Sequence, residues 1–262
     1  MSDLLDIREA LGAVAIDFGN AAPTLRRKCE GCDAEVDRRA DLGMCPRCIA
    51  DEVRTRREEV LASVLPDVHR EARFDGPALA EWCKDQRAIE WARAIGERAP
   101  RCPTVTLYGT TGGGKSTLAA AILRALLAGA RKHATAEWFD ARDLARARKQ
   151  HRLGQGEPPE LRRAIAADIL VIDELGKETL TRDVDAADVV MVLDERHRMR
   201  SALTIVTTEW SAQANATGAK LADIYMPSLV RRLSEPWRAG PPPVGSALVV
   251  RVRRGDELQV AA

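Results

Sequence analysis

The chain has 262 residues, 45% of them apolar and 30% charged, enough for one domain with its own core plus a small appendage. A net charge of +1 excludes a global field for nucleic acid, so any such surface is a local patch. With 4% aromatics, a broad base-stacking platform is excluded as well. The opening stretch MSDLLDIREALGAVAIDFGN carries acids and no long apolar run, so it does not read as a signal peptide. No apolar stretch reaches the roughly 20 residues of a membrane span. The expected location is cytoplasmic, where disulfides are rare.

Residues 1–25 form a mildly amphipathic segment. KCEGCDAEVDRRADLGMCPRC follows at 28–48, with Cys29, Cys32, Cys45 and Cys48 in the spacing C-x2-C-x12-C-x2-C. That spacing suits a closed, tetrahedral Zn2+ site. Basic neighbours (Arg26, Arg27, Lys28, Arg38, Arg39, Arg47) favour thiolates. A redox pair would use one Cys-x-x-Cys on a thioredoxin-like scaffold, which is missing. A module of about 25 residues needs its metal to fold. Its basic loop at 37–39 reads as a surface for a partner or for DNA. Cys83 and Cys102 read as buried structural residues.

Helical patterns are expected over Ile49–Val64 and Trp82–Arg98, the second with Trp82, Ile89, Trp91 and Ile95 as its apolar positions. Strands and helices then alternate. Strands are expected at Thr104–Tyr108, Thr135–Phe139, Asp168–Ile172, Leu203–Thr207 and Ser246–Val252, with helices at Lys115–Ala128, Ala141–His151 and Asp185–Met199. This order predicts an α/β fold, a parallel five-stranded sheet with helices on both faces.

Between the first of these strands and its helix lies GTTGGGKST: Gly109, Thr110, Thr111, Gly112, Gly113, Gly114, Lys115, Ser116 and Thr117. It matches G-x-x-x-x-G-K-[ST] in the strand–loop–helix context that the motif needs. Glycines let successive N–H groups turn inward onto phosphate oxygens, and the helix N-terminus adds a favourable field. Lys115 reaches the β- and γ-phosphates, and Ser116 takes a place on Mg2+. The later run ILVIDE (169–174) ends a buried strand in two carboxylates. Alone, such a pair merely solvates a strand end. Placed 58 residues after Lys115, Asp173 suits Mg2+ and Glu174 suits a general base for the attacking water. The guanine signature N-K-x-D is absent, which favours adenine, hence ATP.

GTTGGGKS, ADILVIDELG (167–176), ERHRMRSALTIVTTEW (195–210) and SLVRRL (228–233) together resemble the AAA+ ATPases of the DnaC/IstB type, over roughly Val64–Val252. The resemblance implies a P-loop NTPase of the ASCE class without a C-terminal lid domain, in two parts: residues 1–58 with the zinc module and 59–262 as the ATPase. It implies that TIVTTEW carries the γ-phosphate sensor, usually Thr-Thr-Asn or Thr-Ser-Asn. Here Glu209 holds the Asn position. A carboxylate repels a γ-phosphate unless a cation intervenes, so either Thr208 senses, or Glu209 turns away, or sensing is weak. SLVRRL resembles the segment bearing a trans-acting arginine finger, which makes Arg232 the candidate and Arg231 the runner-up. Arg196 falls at an Arg-Tyr position of the family, as a nucleotide or interface contact. Such a finger implies a homo-oligomer.

The helix DARDLARARKQHR (140–152) places Arg142, Arg146 and Lys149 on one face. Charge runs are usually solvated faces. In loaders the corresponding segment lies near the channel for single-stranded DNA, which makes these three candidates for DNA contact. The leading expectation is a helicase loader-like ATPase of DNA replication, holding a replicative helicase or other replication protein through its N-terminal region. The alternatives are an IstB-type transposition helper and a zinc-containing, ATP-dependent adaptor with weak hydrolysis.

Overall fold

The computed structural model describes residues 26–37, 44–98, 104–129, 134–152, 154–180, 186–199, 202–210, 221–234 and 247–254. The expectations for residues 1–25, Arg38, Arg39 and Cys102 lie outside them. The chain divides into two compact units, Met1–Val53 and Arg54–Ala262.

In the first unit, β1 (Arg26–Lys28) and β2 (Glu35–Asp37) pair antiparallel. The helix α1 (Pro46–Val64) begins there. It starts three residues before the apolar pattern suggests, because Pro46 suits the first helical turn. The second cysteine pair therefore straddles a helix start rather than a free turn.

The second unit continues with α2 (Pro77–Trp82) and α3 (Gln86–Arg98). A single helix over 82–98 was expected; instead the chain breaks at Cys83, which is extended (φ −110°, ψ 113°). Asp85 starts α3, its Oδ1 accepting from the Ala88 amide at 3.3 Å. The buried stripe of α3 is Ala88, Ile89, Ala92 and Ile95, whereas Trp82 and Trp91 are each 59% exposed. Small side chains let α3 approach its neighbour, and the two indoles, expected among the apolar positions of the pattern, stand outside the buried stripe.

The sheet comprises β3 (Thr104–Tyr108), β4 (Ala136–Asp140), β5 (Ile169–Leu175), β6 (Leu203–Thr208) and β7 (Ala247–Arg251), in the order β4-β5-β6-β3-β7. All its pairings are parallel. Between the strands run α4 (Lys115–Gly129), α5 (Ala141–Gln150), α6 (Pro159–Ala166), α7 (Ala187–Arg198) and α8 (Pro227–Ser234). The short helix α6 was not expected; Pro158-Pro159 supplies its start.

Period-2 alternation splits the core in two. Val171 and Ile205 pack with Leu118, Ile122 and Leu79 on one face. Leu170, Ile172 and Val206 pack with Leu144, Leu161, Val192 and Leu229 on the other. Both faces are covered, which is why the central strands read as continuous apolar runs. The carboxyl ends of β3, β5 and β6 line up at one edge, where an open α/β sheet builds its ligand site. Among the described residues no helix is long and apolar enough to cross a membrane.

Candidate functional site

The loop after β3 turns into α4 through Gly114, at φ +88°. A Cβ there would sit 2.6 Å from the Trp82 carbonyl oxygen and 2.8 Å from Cys83 Cα. Only glycine fits, so the end of α2 braces the loop from outside. Lys115 opens α4, is 8% exposed, and donates from Nζ to the Thr110 carbonyl at 2.7 Å. Burial lowers its pKa; Glu209 opposes that shift and Lys177 adds to it.

Ser116 Oγ donates to Asp173 Oδ1 at 2.8 Å, and Thr207 Oγ1 donates to the same oxygen at 2.5 Å. Beyond Ile172 the pairing of β5 with β6 shifts, so that Leu175 meets Thr208. The shift is a bulge, and it leaves Glu174 in the left-handed region at φ +61°. The Glu174 amide donates to Thr207 Oγ1 at 2.9 Å. The bulge thus aims two successive carboxylates at the loop, which plain alternation would send to opposite faces.

Glu174 is not a bare base. Lys177 Nζ donates to its Oε1 at 2.6 Å and Arg142 Nη2 to its Oε2 at 3.2 Å. Arg142 also donates from Nε and Nη2 to Asp140, at 3.0 and 2.7 Å. Asp140 caps α5 by accepting from the Arg142 amide at 2.8 Å. Arg142 therefore has site partners, in contrast to the DNA-facing role expected for it. Arg146 and Lys149 are exposed on the same helix.

One cleft is lined by Thr111, Lys115, Ser116, Glu174, Lys177 and Glu209, with His69, Trp82, Thr207 and Thr208 also on its wall. Thr208, the expected sensor, is fully buried. Its hydroxyl donates to the Leu175 carbonyl at 2.7 Å and accepts from the Trp210 amide at 3.1 Å. That hydroxyl is committed to main chain, and Thr207 is the threonine that meets the acid. Neither His69 nor Lys177 was anticipated. His69 meets Trp138 in a tilted ring contact, centroids 5.8 Å apart, and brings Nδ1 within 3.4 Å of Thr117 Oγ1. Nothing local in its stretch LPDVHR signals this. Lys177 follows Glu174 by three residues across a glycine turn, which is the signal that was available.

Arg196 corrects a second expectation. It is 1% exposed, and its guanidinium donates to Thr204 Oγ1 and to the carbonyls of Ala164, Ile165, Ala167 and Leu203. Burial lowers its pKa to about 10. It ties the end of α6 to β6 and reaches neither nucleotide nor interface. Arg232 is bound to Asp194 of α7 in its own chain. A larger groove of about 470 Å³ lies beside this pair, lined by Val190, Met191, Asp194, Tyr225 and Met226. Among the described residues, its one lining cation, Arg198, is paired with Glu195 at 2.6 Å, and no residue of the phosphate loop lines it.

In the first unit, the sulfurs of Cys29, Cys32, Cys45 and Cys48 all lie within 4.8 Å of one another. A tetrahedral ion with Zn–S bonds of about 2.3 Å needs sulfurs about 3.8 Å apart, so the cluster fits zinc. The amides of Cys45 and Gly31 donate to Cys29 Sγ at 3.1 and 3.4 Å. The Cys45 amide is the largest influence that brings the Cys29 pKa down to about 6. The neighbouring sulfurs, Cys32 first and then Cys45, push the Cys48 thiol the other way, so a cation is needed before all four favour the thiolate.

Residues 54–230 match the family of IstB-like ATP-binding proteins. The chain belongs to that family. Among curated proteins there is no significant match. Of solved structures, a candidate primosome component from Streptococcus pyogenes serotype M3 is 15% identical with a TM-score of 0.50, covering 74% of this chain and 96% of that one. It shares the fold. The DnaC helicase loader is 22% identical with a TM-score of 0.47, covering 71% of this chain and 99% of that one. AMPPCP-bound DnaA from Aquifex aeolicus is 17% identical with a TM-score of 0.43 and covers 64% of this chain, which spans about half (46%) of that DnaA. As a member of the IstB-like family the chain carries an ATP-binding domain, built here as a five-stranded parallel P-loop sheet.

Proposed function

We propose that this chain hydrolyses ATP at contacts between its own copies and uses the cycle to load or remodel a replicative helicase, or another replication protein, on single-stranded DNA. The observation that carries the reading is the 2.8 Å contact of Asp173 with Ser116, which lines one cleft with Lys115 and Glu174. A hydroxyl and a carboxylate are the hard oxygen donors that suit Mg2+. In this reading the loop from Gly109 to Thr117 cradles the phosphates, Ser116 and Asp173 hold the metal, and Glu174 orients and deprotonates water. Arg232 serves the site of a neighbouring copy after leaving Asp194. Residues 1–58 form the zinc-bearing region that meets the partner, and 59–262 form the ATPase.

Steady-state ATP turnover tests the reading. Turnover per chain rises with protein concentration and with added single-stranded DNA, and Arg232→Ala abolishes the rise while ATP still binds. Turnover per chain that is flat in both variables defeats the assembly reading. The family match favours a second reading, a transposition helper acting on double-stranded DNA. Preference for double-stranded over single-stranded DNA in a competition assay selects it. A third reading, an adaptor with weak hydrolysis, is supported by the engagement of Thr208 and by the charge of Glu209; it predicts ATP binding with slow turnover that single-stranded DNA does not raise.

A further inference from the structure

Glu209 stands where a neutral side chain is expected, and it does not turn away. Its Oε1 accepts from Thr111 Oγ1 of the phosphate loop at 2.6 Å and lies 3.2 Å from Lys177 Nζ. The same ammonium holds Glu174 Oε1 at 2.6 Å. Lys177 thus joins the ends of β5 and β6 at the loop side of the cleft, with 25% of its side chain exposed. Its backbone is fixed as well. Gly176 precedes it at φ +102°, and a Cβ there would strike the Trp210 ring at 2.7 Å. Lys115 approaches from the loop: the charge of Glu209 favours its ammonium and the charge of Lys177 disfavours it. Lys177 is thus held between two carboxylates, Glu174 and Glu209, in the same cleft as Lys115, where the loop would hold the end of a polyphosphate.

We infer that Lys177, anchored by Glu209, is a second lysine contact for the terminal phosphate, and that this pair distinguishes a nucleoside triphosphate from a diphosphate. The inference rests on the ATP reading of the cleft. Bare, Glu209 would repel a γ-phosphate; paired, it is neutralised and holds an ammonium facing the cleft. An ammonium has three donors, so Lys177 keeps Glu209 and exchanges Glu174 for a phosphate oxygen. That exchange leaves Glu174 Oε1 open to water only when a third phosphate is present. A diphosphate ends short of Lys177 and leaves the Lys177–Glu174 contact in place.

The test is calorimetric titration of the full chain, with Mg2+, using ADP and a β,γ-methylene analogue of ATP. Lys177→Met weakens analogue binding on the order of 10- to 100-fold, since an unpaired carboxylate then faces the phosphate, and leaves ADP within about threefold. Lys177→Met with Glu209→Gln recovers at least half of that loss on a logarithmic scale. Unchanged ADP binding shows that the variants are folded. The inference is overturned if Lys177→Met keeps the wild-type preference for analogue over ADP, or if the double variant stays as weak as the single one. A wild-type chain that binds neither nucleotide sinks the ATP reading itself, whereas a binding wild type with an indifferent Lys177→Met sinks only the role of the pair.

Discussion

Ser116 Oγ and Asp173 Oδ1 lie 2.8 Å apart across 57 residues of sequence, joined by a hydrogen bond at the carboxyl edge of the sheet. Two side chains one peptide apart, Asp173 and Glu174, then meet different partners: Asp173 the hydroxyls, Glu174 the cations Lys177 and Arg142. The separation predicts separable variants. Asp173→Asn weakens Mg2+-dependent nucleotide binding and turnover together. Glu174→Gln keeps binding and loses roughly 100-fold or more of turnover, the range for a positioned general base. Single-turnover hydrolysis beside equilibrium binding checks both, and wild-type turnover in Glu174→Gln removes Glu174 from the mechanism.

The cysteine cluster predicts a metal-dependent first unit. Purified chain carries zinc, and chelation or Cys29→Ser releases it. Loss of the ion exposes the amides of Cys45 and Gly31, which the Cys29 sulfur accepts, and residues 26–53 exchange hydrogen rapidly. Nucleotide binding by the second unit persists. Hydrogen exchange with and without chelator reads the result directly; a first unit equally protected in both conditions excludes a structural metal.

How much of this was legible in the sequence depends on the range over which each feature is encoded. The phosphate loop and the zinc spacing are local patterns, and the buried strands are short apolar runs bounded by turns, so all three could be read directly. The site role of Arg142 could not. It depends on β4 lying beside β5 with Asp140 opposite Asp173, a pairing between residues 33 positions apart. Arg196 is expected from sequence to touch nucleotide or an interface, because its actual acceptors, the carbonyls of Ala164, Ile165 and Ala167, have no sequence signature. Trp82 and Trp91 misled in the other direction: a large apolar side chain is not necessarily buried.

The basic helix α5 predicts a division of labour. Arg142 belongs to the Glu174 cluster, whereas Arg146 and Lys149 are exposed farther along the helix. Charge reversal at Arg146 and Lys149 weakens single-stranded DNA binding and flattens its salt dependence by about 1.4 in log–log slope, two phosphate contacts at about 0.7 each. Turnover without DNA stays at the wild-type rate. Arg142→Ala does the opposite, altering turnover without DNA and leaving the slope alone. Undiminished DNA affinity after the double reversal would exclude α5 as a DNA surface.

Glu178 gives a prediction about pH. It is fully buried, accepts from the Gly176 amide at 2.8 Å and is bound by the Tyr225 hydroxyl, linking the turn after β5 to the segment before α8. Burial, only partly offset by backbone amides, raises its pKa above the ordinary carboxylate value of 4.5. Below that value the carboxyl is protonated in both folded and unfolded chains, and it adds no pH dependence. Above it the unfolded chain ionises freely while the folded one resists, so stability falls as pH rises toward the folded pKa, by about 1.4 kcal/mol for each unit of separation. Glu178→Gln keeps a carbonyl acceptor and lacks the charge. Its stability relative to wild type therefore increases from pH 4 toward neutrality, which denaturant midpoints at a series of pH values measure. A constant difference across that series would mean that Glu178 ionises as easily inside the fold as outside it.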